Sequence, residues 1–336
     1  MATPKQQRID PKSVSAAVAR GSSQGRGSGA SRKPGGRSPK APPVKKATAS
    51  DWIAGARLRT LPLAISPVAL GTATASVLNK GDVDWISAIL CLVIAFALQI
   101  GVNYANDYSD GIRGTDKFRV GPSRLTGSGA ATPRAVVTVA LVFFAIAIVA
   151  GIVLTVVSGY YWLLAIGAVS VLAAWFYTGG KKPYGYFALG EVFVFLFFGL
   201  VATVGTTFVQ AGTVNFETWL GATALGLIAC AVLMVNNLRD IEQDRAAGKR
   251  TLSTFVGPTV SRVLFGVLLI APFVVVIPIV VLYFNANYVY LALFTAVPAI
   301  IIAATAKAPG ELVIALRLAS LTSLIFGVIL ALAIAL

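Results

Sequence analysis

The sequence predicts an all-α integral membrane protein: a bundle of nine transmembrane helices, N-terminus in the cytoplasm and C-terminus outside. Three observations predict it. The 336-residue chain is 57% hydrophobic with a mean hydropathy of +0.80, well above the range of soluble domains. Nine runs approach the roughly 20 apolar residues that cross a bilayer. Almost all the cations lie on one side of those runs.

The runs, in order, are 60–78, 86–106, 135–157, 160–178, 186–208, 217–238, 262–283, 288–305 and 317–336. The connections after 157 and after 283 are short, so those pairs read as antiparallel hairpins. With the N-terminus inside, 27 of the 28 Lys and Arg fall in the tail, in inside loops or at inner helix ends. Only Lys80 falls outside. Cytoplasmic loops carry such an excess, so the pattern sets the orientation. It also accounts for the net charge of +15 without a nucleic-acid partner.

Residues 1–50 hold eleven Lys and Arg, many Gly, Ser and Pro, and one acid, Asp10. Such a stretch cannot bury a core and is expected to be a disordered basic cytoplasmic tail, with the transmembrane domain spanning 51–336. A tail of this charge is either an inert extension or is drawn to anionic lipid. Cys91 and Cys230 lie singly inside apolar runs and read as packing residues. The chain has no His, which excludes His-based acid–base chemistry and most transition-metal sites.

Acid is scarce, and its placement is informative. Six of the 13 Asp and Glu occur in two short runs, NYANDYSDGIRGTD and NNLRDIEQD. Carboxylates beside membrane helices are costly and mark functional sites. In the first run Asn103 and Asp107, and Asn106 and Asp110, are spaced four apart, so each pair shares a helix face. Gly111 and Gly114 are expected to end the helix, and Asp116 returns from the loop. In the second run Asn236, Asp240 and Asp244 rise along one face, with Glu242 pointing away. Both runs end helices on the cytoplasmic side. Two facing columns of hard oxygen donors suit Mg²⁺ shared with a substrate diphosphate. Helices two and six are expected to stand side by side.

These residues resemble the two aspartate-rich motifs of the UbiA superfamily of intramembrane aromatic prenyltransferases. The spacing from Asp110 through Gly114 to Asp116 is similar to the menaquinone branch; in the UbiA enzymes proper the last aspartate comes two residues earlier. ARLRTLPLAISPVALG (56–71), YTGGKKPYGYFALGE (177–191) and the FVFLFFGLVATVGT that follows resemble that branch too. The likeness covers about 51–336.

The resemblance implies transfer of a polyprenyl group from polyprenyl diphosphate to 1,4-dihydroxy-2-naphthoate, with loss of its carboxylate, in the cytoplasmic membrane. Two Mg²⁺ would bridge the diphosphate to the carboxylates. The implied metal ligands are Asn106, Asp110 and Asp116, with Asp107 beside them, and Asn236, Asp240 and Asp244; Asp107, Asp110, Asp240 and Asp244 are the expected catalytic acids. Charge and side select Arg59, Lys181, Arg239, Lys249 and Arg250 as diphosphate partners, and Asn103 is a further substrate contact. Tyr108, Trp175, Tyr177, Tyr184 and Tyr186 are placed to face an allylic cation. Glu191 is either a hydrogen-bonded structural group or a contact to the aromatic substrate. Another acceptor on the same fold, or a cation-coupled transporter with acids in its bundle, is the competing reading.

Overall fold

The computed structural model describes residues 46–115 and 124–336. Among these the regular elements are helices, with one isolated parallel bridge between Phe187 and Arg250. Helix α1 (Ala49–Gly55) leads through a 3-10 turn (Leu58–Thr60) into α2 (Pro62–Leu78). Next come α3 (Trp85–Arg113), α4 (Pro133–Ser158), α5 (Leu163–Phe176), α6 (Gly190–Ala211) and α7 (Phe216–Arg239). The chain continues as α8 (Ile241–Ala246), α9 (Leu252–Leu282), α10 (Phe284–Thr305) and α11 (Pro309–Ala335).

Among the described residues seven helices are long and apolar enough to cross a membrane: α3, α4, α6, α7, α9, α10 and α11. The pair α1–α2, bent by 47°, makes an eighth if it counts as one span. Each of the nine expected runs is largely helical. However, α5 has only 14 residues, about 21 Å at 1.5 Å per residue, against a hydrocarbon core of about 30 Å. Helix length thus supports seven or eight spans among the described residues, and the expected ninth rests on the short α5.

Local chemistry explains the helix starts. Thr48, Asp84, Thr132, Asn215 and Thr251 each accept a backbone N–H of the following first turn, which is the N-cap role these residues favour. Arg57 takes the left-handed conformation (φ 55°) and separates α1 from the turn before α2. The expected boundary at residue 50 moves earlier, because Ala47 N–H already bonds Ala130 O at 2.9 Å. The rest of the expected tail, residues 1–45, lies outside the described residues.

Small residues set the helix packing, as is usual where lipid gives no hydrophobic drive. A Cβ on Gly199 of α6 would lie 2.6 Å from the Gly226 Cα of α7, and one on Gly71 of α2 would lie 2.6 Å from Thr203 O of α6. The seven residues Phe195–Val201 of α6 wind as a π-helix at this approach. One apolar cluster joins α2, α7, α9, α10 and α11; a second joins α3 and α4 with Ala56, Leu125 and Ala174. Helices α3 and α7 were expected to be neighbours. Instead α3 packs chiefly on α4, and α7 on α9, α11 and α6. The two motif helices face each other across a cavity.

Candidate active site

That cavity holds about 780 Å³ and is lined by α2, α3, α4, α5, α6 and α7. From α3 it receives Cys91, Ala95, Leu98, Val102, Asn106 and Asp110, spaced three and four apart as one helix face requires. From the second motif it receives Asn236, Asn237, Asp240, Gln243 and Asp244. Polar groups gather at this end. The remaining wall is apolar and includes Val68, Ile94, Leu163 and Val209. Ile148, Ile152, Ile166 and Leu172 line the cavity and are also exposed, so its side opens between α4 and α5.

Asp110 is the centre of the polar end, and its side chain is 2% exposed. It accepts from Arg124 Nη1 at 2.6 Å, Lys249 Nζ at 3.1 Å and Tyr186 Oη at 2.7 Å. Lys249 also lies 3.7 Å from Asp244. One ammonium thus touches a carboxylate from each motif, and the two motifs share one site. The Tyr186 ring lies between two cations, Lys249 Nζ at 4.8 Å and the Arg113 guanidinium at 5.4 Å from its centroid. Burial, and then the charge of Asp110, hold the Tyr186 phenol well above its usual range, so it stays a donor. Arg113 donates to Thr178 O and Gly180 O and thereby ties the loop carrying Tyr186 to the end of α3.

The expected roles separate when placed in three dimensions. Asn103, Asn106, Asp110, Asn236, Asp240, Asp244, Lys249 and Tyr177 line the cavity. Asp116 lies outside the described residues. Asp107 is not among the lining residues. One residue on from Asn106 turns it by about 100°, and its oxygens accept Leu125 N–H and Thr126 N–H, both at 2.9 Å. It holds the loop that delivers Arg124. Gly111 does not end α3, which runs to Arg113 and is capped by left-handed Gly114 (φ 73°).

The second motif is not one continuous column. Helix α7 ends at Arg239, Asp240 is its C-cap, and Asp244 belongs to α8. Glu242 points away as expected and pairs with Arg245 at 3.0 Å. Arg239 does not line the cavity. Its buried fork takes Asp240 at 2.7 and 2.5 Å and Asn236 at 3.0 Å. Arg59, Lys181 and Arg250 also lie off the cavity wall. Two residues apart on a three-residue turn face different ways, so Arg57 lines the cavity and Arg59 does not. Neighbours in extended chain alternate sides; across the bridge to Phe187, Lys249 faces inward and Arg250 is exposed. Glu191 is buried and is not among the lining residues; it accepts from Asn237 Nδ2 at 3.1 Å. Of the five aromatics, Tyr177, Tyr184 and Tyr186 reach the cavity, whereas Tyr108 and Trp175 pack against the second apolar cluster.

The donor set suits a hard cation. It consists of carboxylate and amide oxygens, and Gln243 Oε1 is buried there with no hydrogen-bond partner. Among the described residues no three acidic or sulfur groups form a complete metal site. Mg²⁺ is usually held by one or two carboxylates together with substrate phosphates and water.

The UbiA prenyltransferase family profile matches residues 64–311. The chain belongs to the UbiA prenyltransferase family. Over 226 residues it is 51% identical to 1,4-dihydroxy-2-naphthoate octaprenyltransferase of Mycobacterium tuberculosis, covering 67% of this chain and 76% of that one. Its fold is similar to a UbiA homologue of Aeropyrum pernix K1, with a TM-score of 0.62 and 17% identity over 79% of this chain and 95% of that one. It is also similar to a UbiA homologue of Archaeoglobus fulgidus bound to GPP and Mg²⁺, with a TM-score of 0.53 and 15% identity over 85% and 97%.

The lining residues of this UbiA family member that escaped the sequence reading include Arg57, Arg124, Thr178, Asn237 and Gln243. Arg124 follows a loop, and no periodicity points it back at Asp110. Thr178 could have been suspected from the loop 177–191, and it donates to Asn106 Oδ1 at 2.6 Å.

Proposed function

We propose that this chain transfers a polyprenyl group from polyprenyl diphosphate to 1,4-dihydroxy-2-naphthoate, releasing diphosphate and the acceptor's carboxylate as CO2 and giving demethylmenaquinol, which oxidises in air to demethylmenaquinone, for menaquinone biosynthesis. The observation that carries the reading is the cavity itself. A carboxylate end and an apolar length open to lipid suit a ligand with a diphosphate head and a hydrocarbon tail. The 51% identity to the mycobacterial octaprenyltransferase supports the choice of acceptor.

Asp110, Asp240 and Asp244, with Asn106 and Asn236, would hold Mg²⁺, two ions in this reading; Asp116 would complete the first motif. The bound metal supplies Lewis-acid stabilisation of the leaving diphosphate. Lys249, Arg124 and Arg57 offer charge-assisted hydrogen bonds to diphosphate oxygens. Tyr177, Tyr184 and Tyr186 present ring faces where positive charge develops on the allylic carbon. The apolar wall keeps water from that carbon. The electron-rich naphthol ring attacks as the bond from carbon to the diphosphate oxygen breaks. No histidine base is required.

The chain crosses the cell membrane nine times in this reading, α5 included, with the N-terminus and the aspartate end in the cytoplasm and the C-terminus outside. The distribution of Lys and Arg supports that orientation. The deciding experiment supplies purified protein with labelled octaprenyl diphosphate and dihydroxynaphthoate and measures product mass. Demethylmenaquinone that disappears on chelation and returns with Mg²⁺ supports the reading. A decarboxylation-free adduct, or turnover indifferent to chelation, sinks it.

A further inference from the structure

Two sets of glycines inside the helices differ in their surroundings. At Gly71, Gly101, Gly199, Gly221, Gly226 and Gly327, an added Cβ would come within 2.4 to 2.7 Å of an atom on another element. Packing requires those glycines. Gly151 of α4, Gly167 of α5 and Gly205 of α6 are different. An added Cβ there meets nothing within 4 Å, and φ is not positive at any of the three. A glycine inside a helix costs about 1 kcal/mol relative to alanine, and neither packing nor backbone geometry accounts for that cost here.

All three line the one cavity, from three different helices. On α6 the lining residues Ala202, Gly205, Thr206 and Val209 form a single face at helical spacing, so Gly205 looks into the space. On α5, Gly167 lines the cavity with neighbours all round the helix, Leu164, Ile166, Ser170 and Val171 among them, and is itself exposed at the side that opens between α4 and α5. The missing side chains leave room for a ligand.

Their depth identifies which ligand. From the aspartate end, the 1.5 Å rise per residue places Gly167 about 14 Å along α5 from Phe176, Gly205 about 22 Å along α6 from Gly190, and Gly151 about 27 Å along α4 from Pro133. Their neighbours on the wall include Val68, Ile152, Leu163 and Val209. An acceptor with a carboxylate and two hydroxyls would lose its hydrogen bonds there. A hydrocarbon chain would not. We propose that Gly151, Gly167 and Gly205 admit long donors by leaving space for the distal isoprene units of the prenyl diphosphate. This rests on the prenyl-transfer reading above.

The consequence is selective. Filling one of these spaces obstructs a long donor and leaves a short one out of reach. A misfit of a methylene or more in an apolar site is worth about 1–3 kcal/mol, roughly fivefold to 150-fold in kcat/KM. The experiment uses full-length protein in membranes and measures kcat/KM for geranyl and octaprenyl diphosphates with dihydroxynaphthoate. The variants are Gly151→Leu, Gly167→Leu and Gly205→Leu, each beside its alanine counterpart. Gly310→Ala is the control, since its Cβ position is also open but lies off the cavity. The octaprenyl-to-geranyl ratio is expected to fall about fivefold or more in the leucine variants, less in the alanine variants, and not in the control. An unchanged ratio at all three positions, or equal loss with both donors in leucine and alanine variants alike, overturns the proposal. Wild-type protein inactive with both donors would instead remove the prenyl-transfer reading.

Discussion

Asp110→Asn is the sharpest test of the site. The substitution keeps the side-chain shape and removes the charge. Asp110 receives three donors, at 2.6, 2.7 and 3.1 Å, and two of them are the cations Arg124 and Lys249. A hydrogen bond involving a charged group is worth about 1.5–3 kcal/mol net. The asparagine oxygen retains one good acceptor position, so two such bonds are lost or neutralised, about 3–6 kcal/mol. If the same cations receive the diphosphate, that loss appears as roughly a hundredfold to ten-thousandfold fall in kcat/KM. Asp240→Asn is expected to fall comparably, because it strips the bidentate partner from Arg239. Glu242→Gln is the control. Its pair with Arg245 is 78% and 43% exposed, and an exposed pair is worth about 0–1 kcal/mol, so about fivefold is the most it should cost. The assay is steady-state turnover at saturating Mg²⁺, with thermal unfolding run on each variant, since breaking a buried pair can cost stability as well. Equal loss in all three variants, or Asp110→Asn within about fivefold of wild type, would refute the placement of the site.

Three further outcomes follow from the same geometry. Glu191→Gln keeps an acceptor for Asn237 Nδ2 and is expected to hold kcat/KM within about threefold, whereas Glu191→Leu loses tenfold or more, from about 1.5 kcal/mol for the unsatisfied amide; indistinguishable kinetics in the two would show that the amide needs no support. Asp107→Asn retains one of its two backbone bonds, so its melting temperature should drop together with activity, and activity lost at an unchanged melting temperature would return Asp107 to the reacting centre. Removing residues 1–45 is expected to leave turnover within about twofold in inserted protein, and a larger loss would make that segment part of the site.

The apolar runs were legible because a spanning helix must hide its backbone and present lipid-compatible side chains along its whole length. The oxygen donors were legible because acid is scarce and spaced in fours. What the sequence concealed was direction. Asp107 and Asp110 look equivalent on paper, yet one builds a loop and the other faces the cavity, a difference set by the rotation of α3 against α4. Charge alone could not separate Lys249 from Arg250 or Arg57 from Arg59, since the local turn decides which neighbour looks inward. The break at Asp240 was also hidden, because nothing in NNLRDIEQD is a helix breaker, yet Asp240 leaves the helical conformation at φ −97° and ψ 9°.

The open side between α4 and α5 has a consequence for how tightly any donor is held. Membrane acyl chains reach the same apolar wall, so a prenyl tail entering from the bilayer exchanges one hydrocarbon surrounding for another and gains little. Net affinity then resides in the head group, and the tail acts by shape more than by hydrophobic gain. Short-chain detergents become competitors of the donor, so apparent KM values should climb with detergent concentration and relax on return to a bilayer.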